Sequence, residues 1–99
     1  MNALILKDTC TIWAPVEVNR QATYTSTTIP CQWEERLGAY RTTSGDMSEY
    51  ALEIICEEDF IKRGDLVSHS TTRQDTYTVV YVDRVFIRGK YHHSEVYAK

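Results

Sequence analysis

No apolar run in this sequence approaches the roughly 18–20 residues needed to cross a bilayer. The first residues, Met1-Asn2-Ala3-Leu4-Ile5-Leu6-Lys7, are too few and lack the basic start of a signal peptide. The expected place is therefore the cytosol, with exit only as part of a larger particle. Basic charge is also scarce: 11 Lys and Arg stand against 14 Asp and Glu, a net charge of −3. The basic stripe of a free nucleic-acid binder is missing, and Arg84, Arg88 and Lys90 read as a solvated hairpin face. The 3 cysteines, Cys10, Cys31 and Cys56, are odd in number and form no CxxC pair. That argues against both a secreted disulfide scaffold and a metal knuckle. Each sits in an alternating apolar pattern and reads as a reduced core thiol. With only 4 glycines, no phosphate-cradling glycine pattern appears.

What the chain does have is alternation. The 99 residues, 42% hydrophobic and 25% charged, suit one domain, residues 1–99, with a thin core, since a chain this short buries only about 60–65% of its unfolded surface. No window holds a helical period, whereas several hold a period of two. The opening strand runs from Thr9 to Val18, with a bend or bulge expected at Pro15. The polar, Thr-rich stretch from Asn19 to Thr28 is a loop or the wing of a hairpin. Ile29, Cys31 and Trp33 then alternate with polar residues, as do Leu52, Ile54 and Cys56. Together with Val79 these are the candidate core: Cys31, Trp33, Leu52, Ile54, Cys56 and Val79.

Between the two patterns lies a small, polar segment with two glycines, residues 38–48. A long mobile loop or a floppy hairpin extension is expected there. Gly64 is expected to supply a turn conformation ahead of a short strand over residues 66–70, with a hairpin tip at 71–75. Residues 76–87 are expected to be the longest strand, with a bulge near Asp83. Gly89-Lys90 makes the last turn. The fold class is all-β: a small single-domain β-barrel of SH3-like or stopper type with a long flexible loop, whose closure removes sheet edges.

Catalytic and metal chemistry find little support. His92 and His93 are neighbours, and neighbours on a strand point to opposite faces, so they are not expected to share an ion. His69 with Glu95 or a cysteine offers no ligand spacing. His69, Ser70 and Asp75 or Asp83 supply the atoms of a triad but no nucleophile elbow or oxyanion-hole sequence. The groups Glu34-Glu35 and Glu57-Glu58-Asp59 read as diverging or solvated carboxylates. Arg63-Gly64-Asp65 spells an adhesion tripeptide by coincidence. No enzyme, cofactor or metal site is expected. The 7 tyrosines exceed what a thin core holds, and Tyr is favoured where protein surfaces meet.

The order of Ile29-Pro30-Cys31-Gln32-Trp33-Glu34, a polar segment, Gly64-Asp65-Leu66-Val67, Tyr77-Thr78-Val79-Val80-Tyr81-Val82-Asp83 and Glu95-Val96-Tyr97-Ala98 resembles the head-completion, or stopper, proteins that join head to tail in long-tailed bacteriophages and prophages. The resemblance implies a β-barrel that is monomeric alone and assembles as a ring on the portal and adaptor proteins. Such a ring closes the DNA exit channel, passes close to packaged DNA without specific contact, and docks the tail. It implies residence in the bacterial host cytoplasm during assembly and then in the virion neck, with no membrane. It also implies that the 38–48 segment lines or plugs the channel, with Gly38, Tyr40, Arg41, Gly45, Asp46 and Ser48 as candidate residues. A tail-terminator or tail-completion subunit, and an unrelated SH3- or OB-like binding module, remain as alternatives. The slight acidity suits a channel through which DNA slides.

Overall fold

The computed structural model of the chain describes residues 6–42, 44–69 and 75–99. Six strands follow one another: β1 (Asp8–Val18), β2 (Gln21–Arg41), β3 (Met47–Cys56), β4 (Leu66–Ser68), β5 (Tyr77–Ile87) and β6 (Lys90–Ala98). All pairings are antiparallel. Their order, β1–β2–β3–β6–β5–β4, returns to β1, so the circuit of hydrogen-bonded neighbours is closed. No helix occurs among the described residues, in keeping with the absence of a helical period.

Local chemistry explains the turns. Val18 pairs with Gln21 across Asn19 and Arg20, at φ of 52° and 62°, the left-handed pair of a two-residue type I′ hairpin. Ile87 pairs with Lys90 in the same way across Arg88 and Gly89, at φ of 54° and 79°. Gly64, at φ 97°, closes a turn in which the Asp65 N–H donates to the Lys62 carbonyl at 3.1 Å. That positive φ is what glycine tolerates best, as the sequence leads one to expect.

Pro15 makes no bulge. The β1–β2 register is unbroken from Asp8 to Val18. Counted from the two-residue turn, Pro15 opposite Tyr24 and Pro30 opposite Thr9 fall on non-hydrogen-bonded pairs, where no ladder N–H is missed. Residues 19–28 are accordingly the wing of a hairpin and not a loop.

Alternate residues of the closed sheet fill its interior. Cys10, Ile12, Ile29, Cys31, Leu52, Ile54, Cys56, Val67, Val79, Val96 and Ala98 are buried, and Ile61 joins them from the segment after β3. Trp33, Tyr77 and Val82 pack against this cluster and are only partly buried. Trp33 is thus the one core candidate that lies at the margin.

Four expectations are corrected. Of the two forms expected for residues 38–48, the loop is corrected and the hairpin extension is found: 38–41 complete β2 and 47–48 begin β3, paired as Gly38↔Tyr50, Ala39↔Glu49, Tyr40↔Ser48 and Arg41↔Met47. Among the described residues, Thr42 and residues 44–46 lie between the two strands, with the Gly45 N–H donating to the Thr42 carbonyl at 2.9 Å. The longest strand is β2, with 21 residues against 11 in β5. The bulge expected near Asp83 becomes two, at Val79/Tyr81 and at Val85/Phe86, while Asp83 itself pairs regularly with Glu95. Finally, β4 ends at Ser68. Apart from Asp75, the hairpin tip expected at 71–75 lies outside the described residues, as does Ser70.

Candidate functional site

The β2–β3 hairpin folds over the outside of the sheet, and a bulge allows it. Between Glu35↔Leu52 and Gly38↔Tyr50 the register gains one residue on β2. Leu37, in this step, is 88% exposed. Beyond it Gly38, Tyr40, Ser48 and Tyr50 share one face of the hairpin. That face meets Tyr81 and Tyr97, a cross-strand pair on β5 and β6.

Four rings result in mutual contact. Tyr40 stacks on Tyr81 with centroids 4.9 Å apart and planes at 15°. Tyr50 lies 4.7 Å from Tyr97, Tyr81 lies 5.8 Å from Tyr97, and Tyr40 lies 6.3 Å from Tyr97. Such offset pairs add about 0.5–1.5 kcal/mol each beyond buried area. Gly38 lies directly beneath Tyr50, and a Cβ there would come within 2.3 Å of the ring. The Tyr40 hydroxyl donates to the Val80 carbonyl at 3.4 Å.

Electrostatics line the same face. Arg36 bridges Glu34 at 3.7 Å and donates a charge-assisted bond to Glu53, which is buried. Tyr97 donates to Glu95 at 3.2 Å. Burial, and then the Glu95 charge, push the Tyr97 hydroxyl above the usual phenol range. It therefore stays protonated and donates.

Beside the stacked tyrosines runs an open cleft of about 370 Å³, lined by Tyr40, Thr42, Ser48, Lys62, Arg63 and Arg84 among others. Arg84 is committed to the fold: it donates to the carbonyls of Asp59 and Ile61 at 2.8 and 2.6 Å. At the hairpin tip Arg41 donates to the Gly45 carbonyl at 2.8 Å, while Asp46 accepts from Ser44 at 3.4 Å. Of the candidate channel residues, Gly38 and Tyr40 face the sheet, Ser48 lines the cleft, and Arg41, Gly45 and Asp46 stand at the exposed tip.

The histidines overturn one expectation. His92 and His93 do not diverge: their Nδ1 atoms lie 2.8 Å apart. The cause is the second bulge, where His92 is the extra residue on β6 opposite Val85/Phe86. His93 continues the chain to Glu95 at 3.0 Å. Even so, no group of three His, Cys, Asp or Glu side chains suited to a metal occurs among the described residues.

His69 belongs to a different group. It stacks on Trp33 at 4.7 Å and lies 3.7 Å from Asp8, and that Asp8 carboxylate also accepts the Trp33 backbone N–H at 3.1 Å. Its carboxylate partner is therefore Asp8, not Asp75 or Asp83. Glu34 and Glu35 go separate ways, to Arg36 and to the Tyr77 hydroxyl at 2.7 Å. Asp65 of the adhesion-like tripeptide is 1% exposed and accepts the Lys62 N–H, so it is not presented.

The three thiols are free and buried. The hydrogen bond with Cys31, and then burial, push the Cys10 thiol up. Burial raises Cys56 to about 11. Neither is a thiolate at neutral pH, so neither is a nucleophile.

The excess of tyrosine was the sequence signal for this face. Its partners could not be read, because Tyr40, Tyr50, Tyr81 and Tyr97 meet only through the bulge and the closed strand order. No helix among the described residues is long and apolar enough to cross a membrane. No protein-family model matches the chain, and no curated protein matches its sequence.

Proposed function

We propose that this chain is a head–tail joining subunit of a long-tailed bacteriophage or prophage. In this reading it assembles as a ring under the portal and adaptor, closes the DNA exit channel and docks the tail. The observation that supports the reading is a closed, all-antiparallel six-stranded sheet from which hairpins project. Exposed apolar residues gather on those projections: Val16 and Val18 on β1, Leu37 and Met47 on the β2–β3 hairpin, Phe86 and Ile87 on β5. Apolar side chains on projecting hairpins suit a subunit completed by its neighbours.

The channel-facing part is the hairpin tip, with Thr42, Ser44, Gly45 and Asp46 its described residues, flanked by Arg41 and Met47. The rest of the 38–48 segment anchors it on Tyr81 and Tyr97. The chain acts as a structural protein and not an enzyme. A tail-terminator subunit suits the fold less well, since such proteins carry a helix on the sheet. The cleft beside Tyr40 and Tyr81, with Lys62 and Arg63 at its rim, favours a second reading, a peptide-binding module of SH3-like type.

The test is loss of the gene in the source phage or prophage, with lysates viewed by electron microscopy. The expected outcome is DNA-less or leaking heads beside separate, complete tails. Normal joined virions would overturn the neck role and turn attention to ligands of the cleft.

A further inference from the structure

We propose that His92 and His93 form a two-nitrogen site for a divalent transition-metal ion of square-planar preference, copper(II) foremost. The inference starts from the bulge near the end of the β5–β6 hairpin. Val85 pairs with His93 and Phe86 with Tyr91, so His92 is the extra residue on β6. Bulges re-aim side chains and recur beside functional sites. Here the bulge brings the two Nδ1 atoms to 2.8 Å, with the ring planes 81° apart.

The neighbouring carboxylate decides which nitrogens are free to bind. Glu95 accepts from the Tyr97 hydroxyl at 3.2 Å through Oε1, and its Oε2 lies 3.0 Å from His93 Nε2. A carboxylate only accepts, so Nε2 of His93 carries the proton and its Nδ1 keeps the lone pair. A histidine whose other nitrogen donates to a carboxylate is the usual form of a metal ligand. The bond fixes the ring and raises its basicity. The His93 side chain is held well, at 13% exposed. The His92 Nδ1–H donates to the His93 lone pair. An ion takes the place of this shared proton once the proton moves to His92 Nε2, and both Nδ1 lone pairs then meet the metal.

The spacing selects the ion. Two nitrogens about 2.0 Å from one ion lie about 2.8 Å apart at a right angle and about 3.3 Å apart at the tetrahedral angle. The first is the spacing found here, and it suits copper(II) or nickel(II) better than zinc. Small turns of the two rings aim both lone pairs at one point. Of the two ions, copper(II) binds nitrogen ligands more tightly. A cavity of about 610 Å³ lined by Ile87, Arg88, Lys90, Tyr91 and His92 opens beside the pair. It has room for water or an anion as the further ligands. Glu95 supplies negative charge behind His93, while Arg88 and Lys90 are exposed, where salt screens them. Rival ligands lie elsewhere. Cys10, Cys31 and Cys56 are buried, and His69, the last of the 3 histidines, stacks on Trp33.

This site is independent of the neck role, and its test uses the purified, untagged chain. Copper(II) chloride is added, and binding is followed by calorimetry and electron paramagnetic resonance. Expected are one ion per chain at micromolar affinity, an axial spectrum split by two imidazole nitrogens, and an unchanged count of free thiols. His92→Gln and His93→Gln should each weaken binding at least about tenfold, and Glu95→Gln about tenfold, as for a carboxylate behind a histidine ligand. His69→Gln should leave binding unchanged. Circular dichroism and Tm without added metal establish that each variant is folded, and His92→Gln decides alone if His93→Gln lowers Tm. No saturable binding overturns the inference. So does binding kept in a folded His92→Gln chain, binding lost in His69→Gln, or consumption of thiols as copper is added.

Discussion

The β1–β2 wing and the β2–β3 hairpin share the strand β2 yet are held by different forces. The wing has regular pairing and a well-formed type I′ turn but buries none of its side chains. Its residues from Pro15 to Thr28 are all exposed, and the molecule is stretched to 44 Å in its longest dimension. The radius of gyration of 14.0 Å exceeds the roughly 12.6 Å expected of a compact domain of this length. The β2–β3 hairpin has a broken register and an exposed polar tip, yet its base is fixed by four rings on the outer sheet. Regular pairing alone leaves a two-stranded ribbon marginal in water. An irregular pairing with a ring stack has tertiary support. Position in the ladder therefore says less about which hairpin is anchored than what lies beneath it.

Removing the centre of the stack is the most direct way to erase that difference. Tyr97 touches Tyr40, Tyr50 and Tyr81. Tyr97→Ala is expected to cost about 2–4 kcal/mol in urea unfolding, as lost ring packing plus aromatic pair contacts. A loss below about 0.5 kcal/mol, the level of an ordinary surface change, would mean the hairpin is held some other way. Gly38→Ala attacks the same stack from the opposite side. Its Cβ meets the Tyr50 ring at 2.3 Å, so the ring must move, at a cost of about 1–3 kcal/mol. Near-ultraviolet circular dichroism should report the displaced tyrosines in the same sample. An unchanged tyrosine signal with full stability would show that the hairpin lies clear of the sheet.

The sequence was legible where one rule acts alone. Ile29 and Cys31, and Leu52, Ile54 and Cys56, alternate because one face of each strand is buried, and the structure buries all five. Gly64 marked its turn because a positive φ favours glycine. The Asn19-Arg20 turn carries no glycine, so the wing could be read only as a loop or a hairpin. The 38–48 segment looked like a loop because its small polar residues are half the story. Its apolar partners, Tyr81 and Tyr97, lie some forty residues or more away in the sequence. His92 and His93 defeated the period-of-two rule because a bulge changes which face a residue takes. Trp33 alternates with the core yet sits where the closed sheet ends, stacked on His69.

The smallest expected effect is a slope in alkaline stability that belongs to the anchored hairpin. Burial raises the folded-state Tyr97 hydroxyl above its ordinary value of 10.0, so the folded chain holds that proton more tightly than the unfolded chain. The sign follows from linkage: where the native state binds more protons, stability falls as pH rises. The Tyr97 contribution is whole below about pH 10 and is lost progressively above it. Cys10 and Cys56, raised from 9.0, begin the same decline near pH 9. Tyr97→Phe keeps the ring and removes the titrating group, so its stability curve should fall less steeply above pH 10 than that of the parent. In the parent, ultraviolet titration of the tyrosines should show at least one ionising later than free phenol and only together with unfolding. If Tyr97→Phe leaves the alkaline slope unchanged, the Tyr97 hydroxyl is in water, and the hairpin is not closed over it.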